Sequence, residues 1–428
     1  MKITTKIFLL LMLCGGLLSQ EYWVRVPSPV TGFFTRCMFA DSVYGWACGE
    51  SGMIIRSTNG GDSWESLNTG LTAYVVEDIF FLNSRLGWFV ANDGGYTATR
   101  IGRTTNGGVN WSITPFQDTA SINWCVAFTD SLTGFLSGYS GKIYKTVDGG
   151  SNWSAAFIDP AGCPPLFNFP KNRIRFLNAA TGFACGGIYD IQGIIWKTTD
   201  AGNNWQTYCI APEPFFDIKP FSLNRIIAGG GDFEFGATTA VSTNGGPWIY
   251  DTTGLFGVGR DLAFRTASEV WMPLSFAQTW ALNLDSGSAG SRWYSIPGTD
   301  STSINAAEFF SPTKGFGFGS NGAIVKYNTN VIGISQSGIV PLTNRLMQNY
   351  PNPFNPYTEI AFELRMNSMV KITLFDVTGR SIGVIFSGYR QAGHNSFSFD
   401  GSRLASGVYI YRIEAGSYAA SKKMVILK

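Results

Sequence analysis

Histidine is almost missing from this chain: 428 residues contain one, His394, and none lies between positions 20 and 330. Ser-His-Asp and Cys-His catalysis and His-ligated zinc or iron are thereby excluded from that stretch. Charge is scarce as well, at 14% of residues, and 31 basic against 29 acidic side chains are spread along the chain. Such a balance leaves no electrostatic footprint for nucleic acid. There is no CxxC zinc pattern and no long amphipathic helical period. Long apolar runs are lacking too, save one from Ile7 to Leu18 behind Lys2 and Lys6 and ahead of Ser19 and Gln20. It falls short of the roughly 20 residues that span a bilayer, so residues 1–19 read as a secretory signal peptide and no transmembrane segment is expected. Cys14 follows the bulky Leu13, where lipid attachment wants a small residue.

What is abundant is glycine, 51 residues, and aromatics, 15%, set in short alternating runs broken by Gly, Asn and Asp. That is the composition of short strands joined by tight turns, and the length exceeds what one core serves. A repeat organises the first part: "STNGGDSW" ends at Trp64, "TTNGGVNW" at Trp111, "TVDGGSNW" at Trp153, "TTDAGNNW" at Trp205 and a degenerate "STNGGPW" at Trp248, with Trp293 in an eroded unit. Gly-aromatic strand starts precede them, as in Gly45-Trp46, Gly87-Trp88, Gly134-Phe135 and Gly182-Phe183, and recur at Gly315-Phe316. The Trp spacings of 47, 42, 52, 43 and 45 residues match the length of a four-stranded propeller blade. Strand triplets starting near Cys37, Asp78, Trp124, Arg173, Phe215, Asp261 and Asn305 number seven, but the last has no Trp strand after it. A spare strand, Tyr22 to Val26, is placed to complete that blade and close the ring. The expected fold is all-β: a seven-bladed β-propeller over 20–328, a linker at 329–345 and a small Ig-like β-sandwich over 346–428.

The repeated S/T-x-N/D-x-G-x-S/T/N-W resembles the Asp box of sialidase-type propellers, and with the Gly-aromatic strand before it resembles the photosystem II stability/assembly factor family. Asn59, Asn106, Asp148, Asp200 and Asn244 each fall at a hairpin turn, where a short polar side chain can bond the backbone two residues on. The Trp is expected between neighbouring blades, a scaffold role. Once the signal is removed, six cysteines remain in an oxidising compartment. Cys37 and Cys48 flank a hairpin turn near Ser42 and Val43 and are possible cross-strand partners; Cys163 with Cys209 is a second pairing, and buried free thiols are an equal alternative for each.

With strands lettered a to d from the centre outward, the Asp boxes share one face, and the b–c hairpins share the other with the d-to-a crossovers. The second face varies most in length, at Asn92–Gly102, Ile188–Gly193 and Gly229–Gly236 and in the crossover Phe157–Lys171, and variable loops on a rigid scaffold carry function. They combine carboxylates with aromatics, Asp93, Tyr96, Tyr189, Asp190, Asp232, Phe233, Glu234 and Phe235, a pairing that suits sugar or protein ligands through stacking and hydrogen bonds. These are the candidate ligand-binding residues; local packing of the same side chains is the competing reading. No catalytic residues, metal ligands or cofactor are expected. A sialidase-like glycoside hydrolase, which would use Tyr, carboxylates and an arginine cluster, is the alternative, but no Arg-Ile-Pro motif is present, and Arg25, Arg36, Arg56, Arg85, Arg173 and Arg225 read as falling at unrelated blade positions. A purely structural surface protein is the third reading.

The tail carries "NYPNPFNP" from Asn349, "DVTGR" from Asp376, "LASGVYIYRI" from Leu404 and "KKMVILK" from Lys422. In that order these resemble the type IX secretion C-terminal sorting domain of Bacteroidetes and their relatives. The resemblance implies that residues 346–428 engage the type IX secretion machinery and that the protein is secreted or held on the outer cell surface. Pro351, Pro353 and Pro356 are expected to fix an extended first strand, Gly379 and Gly407 to allow turns, and the lone His394 to sit in a loop.

Overall fold

A computed structural model describes residues 22–426 other than 224, 243, 244, 286, 289, 300, 301, 330–343, 350, 351, 391, 392 and 417. The signal segment, Asn244, Pro351 and most of the 329–345 stretch therefore lie outside the described residues. The chain divides into two compact units between Thr329 and Asn330.

In the first unit the described strands form seven antiparallel-based sheets of four or five strands. Their inner strands are Phe34–Phe39, Tyr74–Phe81, Asn123–Phe128, Lys171–Phe176, Phe215–Ser222, the short pair Val258–Gly259 and Ala263–Phe264, and Ile304–Ser311. Each packs on the next and the last packs on the first, so the sheets close a ring around these strands. Closure is made by Trp23–Val26, which pairs antiparallel with Ile324–Tyr327 from Trp23↔Tyr327 to Val26↔Ile324. Trp23 is buried and stacks on Trp280 at 4.2 Å with Trp271 edge-on at 5.5 Å. Pairing the two ends of the unit removes an exposed strand edge.

The repeat motif is a set of polar turns that dock on the preceding blade. In four copies the Ser or Thr hydroxyl that opens the box accepts the amide N–H four residues on: Ser57 from Gly61, Thr104 from Gly108, Thr146 from Gly150 and Thr198 from Gly202. The same hydroxyls bond the box Asn or Asp, whose Oδ1 accepts the N–H of Ser63, Asn110, Asn152 or Asn204. The acidic or amide side chain thus reaches four residues on, not two, because it spans the whole turn rather than an Asx turn. The first-named Gly-aromatic residues seal the joint: Trp46 Nε1 donates to Gly107 O in the next blade at 3.1 Å and Trp88 Nε1 to Gly149 O at 2.9 Å. Where Phe replaces Trp, its ring lies flat on a glycine. A Cβ on Gly61 would meet Phe316 at 2.2 Å, and one on Gly202 would meet Phe135 at 2.2 Å.

Sequence reading missed a cation in this joint. The residue just before three of the boxes reaches the next one: Arg56 Nη1 to Gly107 O, Lys145 Nζ to Asn203 Oδ1 and Lys197 Nζ to Gly245 O, with Lys326 Nζ on Asp62 closing the ring. The box Trp side chains pack across blades as expected, Trp64 on Phe316 and Phe318 and Trp205 on Phe135.

Cys163 and Cys209 form a disulfide that fastens the 157–171 crossover to the outer strand Asn204–Ala211, beside a parallel strand Phe157–Asp159. Lys171, buried, anchors the other end of that crossover by donating to Phe169 O at 3.0 Å and lying 4.1 Å over the Trp196 ring. Cys37 and Cys48 are free and buried. The hairpin is centred one half-step away from the expected turn, so Cys37 faces Ala47 and Cys48 faces Arg36. A one-residue register change puts the two thiols on opposite faces of the sheet.

In the second unit, Arg345–Leu346, Tyr357–Leu364 and Gly393–Asp400 form one sheet, and Ser381–Arg390, Ser368–Asp376, Gly407–Ala415 and Tyr418–Ile426 form another. Ile360, Phe362 and Leu364 from the first share a core with Val370, Ile372, Leu374, Tyr411, Ile413 and Met424 from the second. Burial pushes the Tyr411 phenol up to about 12; its hydroxyl donates to Met347 O and accepts from Asn349 N, pinning the start of "NYPNPFNP". Among its described residues the proline motif makes no continuous first strand. Phe354 forms one isolated bridge to Ile426 and the regular strand starts at Tyr357, since prolines cannot supply ladder N–H groups. Gly379 takes φ +84 in the "DVTGR" turn, whereas Gly407 opens a strand and His394 lies in one.

Candidate ligand-binding face

The inner strands bulge at one point, and that bulge builds the centre of the ring. Pairing skips one residue before Arg36, Asp78, Cys125, Arg173, Asp217 and Ala306. The residues after the skip hold the neighbouring blade: Asp78 Oδ2 accepts Val126 N–H at 3.0 Å, Cys125 Sγ accepts Ile174 N–H, Asp217 Oδ2 accepts Leu262 N–H and Asp261 Oδ2 accepts Ala307 N–H. Arg36 and Arg173 thus stand at equivalent positions, a correction to their reading as unrelated; a bulge shifts the count by one and hides the match. Arg173 reaches across the ring, donating to Asp78 Oδ1 at 2.9 Å and Asp217 Oδ1 at 3.1 Å, with Asp261 3.9 Å away. All four are buried. Burial opposes the charge on Asp217, but Lys219 and Arg173 hold its carboxyl well below the usual range, while burial and the Asp217 charge push Asp261 up. The guanidinium best placed for a substrate carboxylate is thus already engaged.

The skipped residues divide into two sets. Thr35, Asn172 and Asn305 are short and donate to a carbonyl of the next blade, Val76 O, Phe215 O and Phe34 O. Glu77, Trp124, Phe216 and Arg260 stand at the corresponding points of the other four blades, half-buried. Arg260 lies 4.5 Å over the Phe216 ring and donates to Ser275 Oγ. Sequence reading missed these four because the bulge that aims them has no local signature.

Above them stand the b–c hairpins. The runs taken as long loops are mostly strand: Gly87–Asp93 turns at 94–98 into Thr99–Thr104, Gly182–Ile188 turns at 189–191, and Arg225–Asp232 turns at 233–235. Gly230 sits in strand because another backbone crowds it, a Cβ there falling 2.1 Å from Pro214 O, and Gly229 because a Cβ there would lie 2.9 Å from Met272 Sδ. Two of the predicted acids stiffen these tips. Asp93 accepts Thr97 N–H, Thr97 Oγ1–H and Ala98 N–H; Asp232, buried, accepts the N–H groups of Glu234 and Phe235. The aromatics point out: Tyr96 is 52% exposed, Phe233 63% and Phe235 65%, with Tyr189 at 38%. Tyr139, Phe256 and Phe276, which sequence reading passed over, are exposed on the same kind of turn or crossover, and Phe276 meets Phe233 edge-on at 6.4 Å.

Between blades four and five the carboxylate oxygens of Asp190, Asp232 and Glu234 come within 4.8 Å of one another, a set of oxygen ligands of the type hard cations take. Glu213 lies beneath, accepting Asp190 N–H at 3.2 Å, and burial with the charges of Asp232, Asp190 and Glu234 raises its carboxyl. Asp93 and Tyr96 sit apart from this group, on blade two. A cavity of about 570 Å³ at blade one, lined by Val30, Gly32, Glu50, Met53 and Leu71, includes none of the predicted residues.

Fold and tail together define an exported β-propeller. Residues 348–427 match the family described as secretion system C-terminal sorting domain, and the protein is secreted or displayed at the cell surface. No described helix is long and apolar enough to cross a membrane. The ring is similar to photosystem II assembly lipoprotein Ycf48 of Nostoc sp. (strain PCC 7120 / SAG 25.82 / UTEX 2576), 24% identical over 76% of this chain and 94% of that protein. The Ycf48 of Synechococcus sp. (strain CC9902) is 29% identical over 36% of this chain and 45% of that protein, so the chain spans under half of this relative's length. A solved structure described as YCF48 bound to D1 peptide superimposes with a TM-score of 0.57 at 20% identity, covering 73% of this chain and 98% of that one.

Proposed function

We propose that this is a non-enzymatic propeller that binds a protein or glycan ligand on its b–c loop face, delivered by a type IX sorting tail. The working division is signal 1–19, propeller 20–328, linker 329–345 and sorting domain 346–428. One observation carries the reading: Tyr96, Phe233 and Phe235 project from hairpins whose backbones are stiffened by Asp93 and Asp232, and Tyr189 from a neighbouring hairpin whose Asp190 N–H is held by Glu213. Exposed apolar groups on rigid turns lose little entropy when a partner covers them. The engagement of Arg173 by Asp78 and Asp217 favours this reading over a sialidase-like hydrolase, which needs arginines open to a substrate carboxylate. The peptide-bound Ycf48 structure supports a peptide as one ligand class for this architecture. The test is glycan-array and peptide-array binding with parallel hydrolase screening of the secreted protein and of a variant with Tyr96, Tyr189, Phe233 and Phe235 all changed to Ala. Binding without turnover that disappears in the variant supports the reading; release of sugar, or binding unchanged in the variant, overturns it.

A further inference from the structure

Six large apolar side chains are exposed on adjoining turns and crossovers of blades four to six: Tyr189, Ile191, Phe233, Phe235, Phe256 and Phe276, the phenylalanines all above 60%. Isolated exposed apolar residues are ordinary, but a contiguous group rimmed by polar ones marks an interaction surface. The rim has one sign. The segments 188–193, 211–216, 232–237 and 252–260 carry Asp190, Glu213, Asp232 and Glu234 against a single cation, Arg260. That guanidinium is committed to Phe216, Ser275 and the Tyr189 hydroxyl. Three of the carboxylates crowd to within 4.8 Å, and the fourth is raised by burial and by their charge. Like charges held this close raise one another's energy unless a cation joins them. The opposite face of the ring treats its acids otherwise, pairing Asp62 with Lys326.

Resting on the ligand-face reading, we propose that the occupant of blades four to six is a protein segment in which Lys or Arg alternates with apolar or aromatic side chains. The basic groups meet Asp190 and Glu234, which are exposed and sit between the rings, while the apolar ones cover Phe233, Phe235 and Phe276. Aromatic rings beside the carboxylates also favour cations through their faces. A neutral sugar would stack on the rings and leave the acid group uncompensated.

The experiment uses the full secreted chain and fluorescence anisotropy with a labelled peptide of three Gly-Arg-Tyr-Gly repeats, its Gly-Glu-Tyr-Gly counterpart, and cellohexaose as a competing neutral glycan. The basic peptide should bind at least about tenfold more tightly than the acidic one, and more weakly as salt rises from about 50 to about 300 mM. D190N/E234Q and, separately, F233A/F235A/F276A should each cost about tenfold in affinity; both change exposed side chains, and thermal melts of each variant confirm the fold. Equal binding of the two peptides, or full binding by D190N/E234Q, overturns the proposal. If cellohexaose binds and only the aromatic variant loses it, the basic-segment proposal fails while the ligand face stands. If neither probe type is affected by the aromatic variant, the ligand face fails too.

Discussion

The two faces of the ring use the same residue types for opposite ends. On the Asp-box face, Asp148 and Asp200 accept backbone N–H groups across each turn and are lowered to about 2 by those bonds, with burial opposing at Asp200. Aromatics there are buried between blades, as Trp46, Trp88 and Trp205 are. On the b–c face the aromatics stand in solvent, and Asp190 and Glu234 crowd one another instead of pairing. A repeat that bonds its acids to its own turn and buries its rings makes a scaffold; the b–c face departs from it by leaving apolar surface and like charge exposed, which is the surface the proposed ligand would cover.

Breaking the centre should show how much the scaffold carries. Arg173→Ala leaves Asp78, Asp217 and Asp261 buried without their shared cation, and removing one partner of a buried ionic group costs about 3–5 kcal/mol. Denaturant unfolding should record this as a loss matched only by truncation of a buried blade-joint Trp, with the b–c hairpins unaffected in local structure until the ring opens. Next comes the disulfide, whose cysteines are 46 residues apart. C163S/C209S should lower stability by about 2–4 kcal/mol and abolish the difference between reduced and oxidised samples, whereas Cys37→Ser/Cys48→Ser, which keeps the disulfide, should retain that difference. Thr198→Val is a milder break of the box face. Its hydroxyl is buried, bonding Asp200 Oδ1 and accepting Gly202 N–H, and leaving that amide unsatisfied should cost about 1–3 kcal/mol in a thermal or denaturant melt.

The same contrast explains what could be read from residues alone. The boxes and the closing strand were legible because their signals are local: a turn that needs Gly at positive φ, a Trp at a fixed distance, an unpaired strand at one end. The centre was not, since one skipped residue in each inner strand decides which side chain enters the ring, and Arg36 and Arg173 look unrelated until that skip is counted. Register also undid the Cys37–Cys48 pairing, by a single step. The blade-five segment Gly229–Gly236, read as a loop, is strand as far as Asp232; Gly230 stands there because the Pro214 backbone approaches and Gly229 because the Met272 side chain does, not because the chain turns. Of the candidate ligand residues, the exposed aromatics were legible from composition, while Glu77, Trp124, Phe216 and Arg260 needed coordinates.

A pH series sharpens the comparison at one residue. Glu213 is raised by burial and by the neighbouring carboxylates, so its neutral form is favoured in the fold. Stability from that group is full below the ordinary glutamate value and is lost as pH rises through the raised one. Glu213→Gln keeps an acceptor for Asp190 N–H and cannot ionise. It should therefore melt higher than the parent at pH 8 and coincide with it near pH 4; a constant difference across the series would show that packing, not charge, sets the effect.

The smallest effect is expected where the ligand face is most exposed. Phe233→Ala and Phe235→Ala remove rings that are almost two-thirds in solvent, and surface changes away from caps and networks stay within about 0.5 kcal/mol. Their melts should match the parent while Trp205→Ala, the same kind of truncation in a buried ring between blades three and four, costs about 3–5 kcal/mol. A loss of more than about 1 kcal/mol at Phe233 or Phe235 would mean that these rings serve local packing. Stability equal to the parent with altered binding would place their purpose in recognition, because a side chain that contributes nothing to folding and is retained on a stiffened turn acts only when something covers it.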